Sequence, residues 1–499
     1  MPFEPVFETF NVRKVKAVTA NEIKIECRTD IPSDAVKKVI GIETRASVSC
    51  GDVALGKAEF FGKAVFFIVY ESVEGELKKC ECGAEFKDVA VNADIPEGGK
   101  ARFSCKAEKA EASLSGVNLS ATALVTVKGE ISAEEKISAV SGGEGLIADI
   151  KERPFVKKYA AKDISYPVEE EFEVNYKVKE VIEHKAAATV TAVQCGVGAV
   201  ICDGEIYLTE IFLQSEGKND IIREDRVIPF RIEAECEEAM PALSASAIVS
   251  VKSVKTDVAV DEDGGISQVV AAVVLDVSAE AESVESVKIA EDAFSTEHEL
   301  LIKKGKAESF TGGEIKTEVA VVKERFATEE LPSDARLCAV MGKSAEVVSA
   351  EKTEGGVSVT GTVSATALYR TEDGIIPVKT EFPFEKFVET DEEDAEISVT
   401  AKKARGKIIT LTETETEAEL IFTVRLKKRY EVFFVAAAEE GAEKPAINSA
   451  VSVYIPIAGE GLWELAKRLN ESPEKLVSTN PDLQFPLSGA ERIVVYRQK

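Results

Sequence analysis

The sequence predicts a mostly β protein: three tandem β-sandwich-like repeats followed by a small β-α-α-β module. Three observations carry this reading. A strand, an acid-Gly turn and a return strand ending at Phe recur three times along the chain. Val, Thr, Ile and Phe dominate these stretches, and such side chains suit a pleated, half-buried surface. Helical spacing of apolar residues is hard to find before residue 460.

The first repeat is assigned to 1–154. Its strand Ala64-Val65-Phe66-Phe67-Ile68-Val69-Tyr70 leads into Glu74-Gly75, and the return strand closes at Phe86. The second, 155–304, runs from Ile206 to Leu213, turns at Glu216-Gly217 and closes at Pro229-Phe230. The third, 305–445, runs from Val363 to Tyr369, turns at Asp373-Gly374 and closes at Pro383-Phe384. Gly after an acidic residue between two β-rich runs is a hairpin signal, because Gly accepts positive φ. The first and third repeats also share Pro-Ser-Asp-Ala, at Pro32 to Ala35 and Pro332 to Ala335. The strand of the third shows period 2 most clearly. Val357, Val359, Val363, Ala365, Ala367 and Tyr369 fall on one face, and Ser and Thr fall on the other.

A second strand pair follows each closing Phe. Its last strand is assigned to Ala121 to Val127, Ala247 to Val251 and Glu419 to Leu426. The Thr-Glu alternation of Leu411 to Glu419 is read as a solvated strand whose charges discourage edge-to-edge pairing, rather than a cation-binding face. Glu439 to Pro445 is polar and reads as a linker.

The net charge of −28 opposes binding to phosphate backbones, so no nucleic-acid partner is expected. The most apolar short run, Ala64 to Tyr70, is far below the roughly 18 residues a membrane span needs, so no membrane insertion is expected. The N-terminal ten residues lack the features of a secretory signal, and the nine scattered cysteines do not form a disulfide framework. Both features point to a reducing, cytoplasmic setting. Cys80 and Cys82 make a lone C-x-C and lack the two further ligands of a zinc site, so plain β-sheet thiols and no metal site are expected.

No catalytic residues are assigned and no cofactor is expected. His184 and His298 sit in charged stretches with no nucleophile motif beside them and read as surface residues. No phosphate-binding GxxxxGK[ST] loop occurs, and Gly196-Val197-Gly198 lacks the βαβ context of a dinucleotide turn.

The texture changes in 450–499. Val451 to Pro456 reads as a short strand, and Gly459-Glu460-Gly461 as a turn in which Glu460 supplies a weak helix cap. Leu462, Trp463, Leu465, Ala466 and Leu469 recur at helical spacing. Ser472-Pro473 reads as the N-cap and first position of a second helix, which runs to about Ser478. Arg492 to Tyr496 is a last strand. From Val451 on, six basic residues balance six acidic ones, so this module is neutral and the acidity lies upstream.

This module resembles a LysM domain. The likeness rests on Gly459, Glu460, Gly461, Leu462 and Trp463, on Leu465-Ala466-Lys467-Arg468, and on Asn480-Pro481-Asp482-Leu483. Gly461 stands where Thr or Ser is usual. With three β repeats upstream, the whole chain resembles SipL-like spore coat morphogenetic proteins of sporulating clostridia, which carry SPOCS domains before one LysM domain. The resemblance implies a non-enzymatic scaffold in the mother cell, at the forespore surface and then in the mature spore coat. It implies that the LysM domain binds the morphogenetic ATPase of the coat basement layer. The alternative is binding of peptidoglycan through N-acetylglucosamine glycan.

Either partner would use a groove between Gly459, Glu460, Gly461 and Leu462 and the loop Asn480, Pro481, Asp482 and Leu483. Trp463, the one Trp of the chain, reads either as a core anchor, with Leu465 and Leu469, or as a stacking platform. Lys467 and Arg468 read as solvated helix charges or as contacts for an acidic partner.

Overall fold

The computed structural model describes residues 3–114, 116–215, 220–260, 267–390, 394–445 and 450–496. Six strands come first: β1 (Glu4–Pro32), β2 (Val36–Ala54), β3 (Lys57–Ser72), β4 (Leu77–Val91), β5 (Lys100–Ser113) and β6 (Asn118–Glu144). They form two antiparallel sheets, β1-β6-β5 and β2-β3-β4. The apolar stripes of the two sheets share one core, where Phe60, Phe66 and Ile68 meet Leu119, Val125 and Val127.

Next come β7 (Ile147–Ala160), β8 (Ile164–Val174), β9 (Val178–Cys195), β10 (Ala199–Gln214), β11 (Ile221–Glu235), β12 (Ser244–Val260) and β13 (Ser267–Phe294). Their sheets are β11-β10-β9 and β12-β13-β7, with β8 also paired to β13. Val200, Ile206, Leu208 and Phe230 pack on Val273, Leu275 and Val277 between them.

The last large group is β14 (His298–Ala327), β15 (Arg336–Thr353), β16 (Gly356–Thr371), β17 (Gly374–Glu389), β18 (Asp394–Thr410) and β19 (Glu413–Glu443). It makes sheets β14-β19-β18 and β15-β16-β17, with Val359, Val363 and Phe384 against Leu420, Phe422 and Val424. The face of β16 expected inside is inside: Val357, Val359, Val363, Ala365, Ala367 and Tyr369 are all buried. Residues 450–496 add β20 (Val451–Tyr454), helix α1 (Leu462–Leu469), helix α2 (Pro473–Thr479) and β21 (Ile493–Tyr496), with β20 antiparallel to β21.

The longest strands run past their own sheet pair into a shared centre. Register shifts at Val15/Ala17 in β1 and Gly312/Ile315 in β14 mark the bends, as an extra residue does in a β-ladder. Beyond the bends Phe10, Phe155, Ile289, Val432 and Phe434 form one apolar cluster drawn from all three groups. Phe10 is the hinge of the packing, with ring centroids 5.0 Å from Phe155 and 6.2 Å from Phe434. A second cluster joins the three meanders through Ile40, Val69, Ile182, Ile211, Met341 and Leu368. Burying a side chain of this size contributes roughly 1.5–3 kcal/mol. The three groups therefore form one body.

Several expectations need correction. The boundaries at 154/155 and 304/305 fall inside β7 and β14; the chain crosses between sheet pairs at 144–147 and 294–298. Glu439 to Glu443 are the end of β19, paired to β14 through Leu301↔Glu439 and His298↔Glu443, and are not linker. Ala247 to Val251 lie in β12, and the strand matching Ala121 to Val127 is β13, around Ala271 to Val277. Two adjacent Val/Ala-rich strands carry the same period-2 signal, so pattern alone does not rank them. The Thr-Glu strand is central, between β14 and β18, and turns Thr414 and Thr416 inward. The turn Glu216-Gly217 lies outside the described residues.

Candidate functional site

The module at 450–496 is built on one small core. Leu465, Ala466 and Leu469 of α1, Leu476 of α2, Leu487, Ile493 and Val495 are buried together. Helix α1 starts at Gly461, which makes no side-chain cap. Its first intrahelical bond runs from Leu465 N–H to Gly461 O at 3.1 Å. The left-handed Asn470 ends it, a conformation Asn tolerates. Ser472 caps α2 by accepting the Lys475 N–H at 3.2 Å, with Pro473 in the first turn.

Among the expected groove residues, the side chains of Glu460 and Asn480 are used internally. Glu460 does not cap α1. Its carboxylate takes a bidentate pair from Arg468 at 2.7 and 2.8 Å, and the Ile457 N–H at 3.0 Å. Arg468 holds this carboxyl below its usual range. The buried Asn480 accepts the Val494 N–H at 2.7 Å and donates to Val494 O at 2.8 Å and Leu476 O at 2.9 Å. It ties the end of α2 to β21. The turn at Gly459 and Glu460 is joined not to Asn480 but to Leu487, by Gly459 N–H to Leu487 O at 2.7 Å and Leu487 N–H to Glu460 O at 3.0 Å. Gly459, Pro481 and Asp482 are exposed; Gly461, Leu462 and Leu483 are half-buried.

Trp463 is half-buried, packing on the edge of the module's core and against β13. Its Nε1–H donates to Asp292 of β13 at 3.0 Å, and its ring meets Phe294 edge-on at 5.3 Å. Lys467 pairs with the same Asp292 at 2.7 Å, so it is not a plain solvated charge. Burial pushes the Asp292 carboxyl up; the hydrogen bonds from Lys467 and Trp463 outweigh that and hold it below its usual value. Asn470 donates to Thr296 O at 2.6 Å and accepts from Lys444 at 2.7 Å. These contacts dock α1 on the end of β13. Sequence reasoning missed them because Asp292 stands 171 residues from Trp463 and no local pattern marks it.

With α1 turned toward the body, the opposite side of the module is open. Val451, Val453, Ile455 and Ile457 alternate outward along β20 and its extension, and Tyr496 lies opposite Val451. All five are more than half exposed. This is an apolar stripe on a module whose charges balance, in an acidic chain.

Elsewhere one titratable group differs from expectation. His184 is not a surface residue. Burial first, then Arg45 and Lys79, push it down to about 4, and its carbonyl accepts from Arg45 where the sheet pairs meet. His298 lies 2.9 Å from Glu440. All nine cysteines are thiols. Cys80 and Cys82 pack on the first core, and burial pushes Cys80 up to about 11. Among the described residues no three His, Cys, Asp or Glu gather as a metal site, and no helix is long and apolar enough to cross a membrane. No family model, curated protein or solved structure matches the chain.

Proposed function

We propose that this chain is a spore-coat assembly scaffold, without enzymatic activity, made of three SPOCS-like repeats and a LysM-like module. In this reading the module binds the morphogenetic ATPase of the coat basement layer at the forespore surface. The strand connectivity supports the repeat reading: β1-β6-β5, β7-β13-β12 and β14-β19-β18 each pack on a three-stranded meander. The order β20-α1-α2-β21 supports the LysM reading.

The observation that carries a protein partner over a glycan is the orientation of the module. Its only Trp is engaged by Asp292 and Phe294, leaving no indole to stack on a sugar ring. What it presents instead is the aliphatic stripe of Val451, Val453, Ile455 and Ile457, the surface type that buries well against another protein. The test is a pull-down of the purified basement-layer ATPase by the full chain, with purified peptidoglycan in parallel. Retention of the ATPase, lost on Val453→Glu with Ile455→Glu, is the expected result. Retention of peptidoglycan alone overturns it and makes the chain a glycan-binding protein.

A further inference from the structure

A cavity of about 440 Å³ opens where strands of all three sheet pairs meet. That lies within the roughly 300–1,000 Å³ of small-molecule sites. Its chemistry differs from that of the chain. Acidic residues outnumber basic ones 89 to 61 overall, yet six cationic side chains and five carboxylates line this cavity.

At its inner end four cations converge on one carboxylate. Glu280, almost fully buried on β13, is reached by Arg13 at 2.5 Å, Arg102 at 3.2 Å, Lys100 at 3.4 Å and Lys158 at 3.7 Å. Glu282, wholly buried beside it, takes Lys158 at 2.8 Å, the Ser246 hydroxyl at 2.9 Å and the Gly312 N–H. Arg13 also lies 3.9 Å from the exposed Glu134. Arg425 and Lys427 of β19 complete the cationic lining; Lys427 pairs with Glu396 at 2.9 Å, and Asp394 is held by Arg429, which does not line the cavity. Glu130 is the remaining carboxylate.

Donor counting decides what the inner end lacks. Two arginines and two lysines present about sixteen N–H donors, five from each Arg and three from each Lys. Glu280 and Glu282 offer about eight acceptor positions between them, and two of Glu282's are taken by Ser246 and Gly312. Four positive charges face two negative ones there. Arg13 sits closest to Glu280 and Lys158 is held by Glu282, whereas Arg102 and Lys100 reach, of these two carboxylates, only Glu280, at 3.2 and 3.4 Å, and are about a third exposed, 37% and 35%.

We propose that this cavity binds a small multivalent oxyanion, of the class of inorganic phosphate or a di- or tricarboxylate. The anion takes donors of Arg102 and Lys100 that Glu280 leaves over, while Glu280 stands as the built-in counter-ion that keeps the cations together without it. Because the lining comes from all three sheet pairs, the bound anion also ties them together. This does not depend on what the C-terminal module binds.

The test is calorimetric titration of the full chain with sodium phosphate and, separately, sodium citrate, against sodium chloride at matched ionic strength. One saturable site for either anion, with a rise in melting temperature, is expected; the anion that binds names the source. Arg102→Gln and Lys100→Gln each weaken binding roughly tenfold or more while the circular dichroism spectrum is kept. Glu280→Gln, which removes the internal competitor, melts lower in chloride and regains stability in the anion. Two results overturn the proposal: no saturable binding of either anion by the unaltered chain at millimolar concentration, or binding that persists unchanged in both cation variants.

Discussion

Phe230 lies across the β10–β11 ladder from Gly204, and its ring occupies the space a side chain at 204 would need. On the other side of Gly204 the Thr189 carbonyl of β9 comes equally close, beside a register shift in that ladder. The same pairing occurs at Gly62 and Phe86 and at Gly361 and Phe384. In each case an aromatic ring covers a strand glycine, which restores apolar contact where Gly has none to offer.

A methyl group at 204 therefore meets both a ring and a backbone oxygen, and only the ring can shift. Gly204→Ala costs about 1–3 kcal/mol, the range of overpacked cores. Phe230→Ala costs about 3–5 kcal/mol through the cavity it leaves. Urea unfolding of both variants and the double variant tests the pair. Strict additivity would mean that ring and glycine do not interact.

Trp463 is the only Trp, so its fluorescence reports docking of the C-terminal module directly. Asp292→Ala removes the acceptor for both the indole N–H and Lys467. The emission shifts to the red, and limited proteolysis releases the C-terminal module. An unchanged spectrum and digestion pattern would exclude Asp292 as the docking acceptor.

Asn480→Ala takes the side-chain partner from the Val494 N–H and carbonyl, while the Leu476 carbonyl keeps the backbone N–H of residue 480. Each abandoned buried group costs about 1–3 kcal/mol. The variant unfolds the module, seen as loss of amide exchange protection in β21. Asp482→Ala, at an exposed position, leaves that protection intact.

Glu210 is buried on β10, accepts the Thr256 hydroxyl at 2.7 Å, and burial pushes its pKa up from 4.5 to about 8. Arg45 and Lys79 pull it down and Glu183 adds to the rise. A carboxyl raised on folding holds its proton more tightly in the folded state. Its contribution is complete below the ordinary value and is lost as pH rises toward about 8, with about 1.4 kcal/mol at stake per pH unit. Glu210→Gln keeps the shape without the titration. The melting temperature of the unaltered chain falls relative to this variant between pH 5 and 8. His184 acts in the opposite sense: lowered by burial and Arg45, it contributes above about 6.5 and loses this as pH falls toward about 4.

Legibility in the sequence followed the range of the interaction. The hairpins around Glu74-Gly75 and Asp373-Gly374 were readable because turn chemistry and strand alternation are local; Gly75 and Gly374 both adopt positive φ. The closing residues Phe86, Phe230 and Phe384 were visible, but their glycine partners on the preceding strand were not, since pairing depends on register. The candidate groove, with Glu460 and Asn480 in it, was expected from the resemblance to a LysM domain. Both point inward, and that follows only from where Arg468 and Val494 lie.

By itself, the sequence determined the β character of residues 4–443, the β-α-α-β order of the last fifty residues, and the contrast between an acidic body and a neutral end. Period, propensity and charge are properties of short segments, so they survive without coordinates. Tertiary structure alone decided that the three sheet groups close around Phe10, Phe155 and Phe434, that Trp463 faces Asp292, and that four cations surround Glu280. Those contacts join residues more than a hundred positions apart. Their energies depend on burial and distance, which no local pattern encodes.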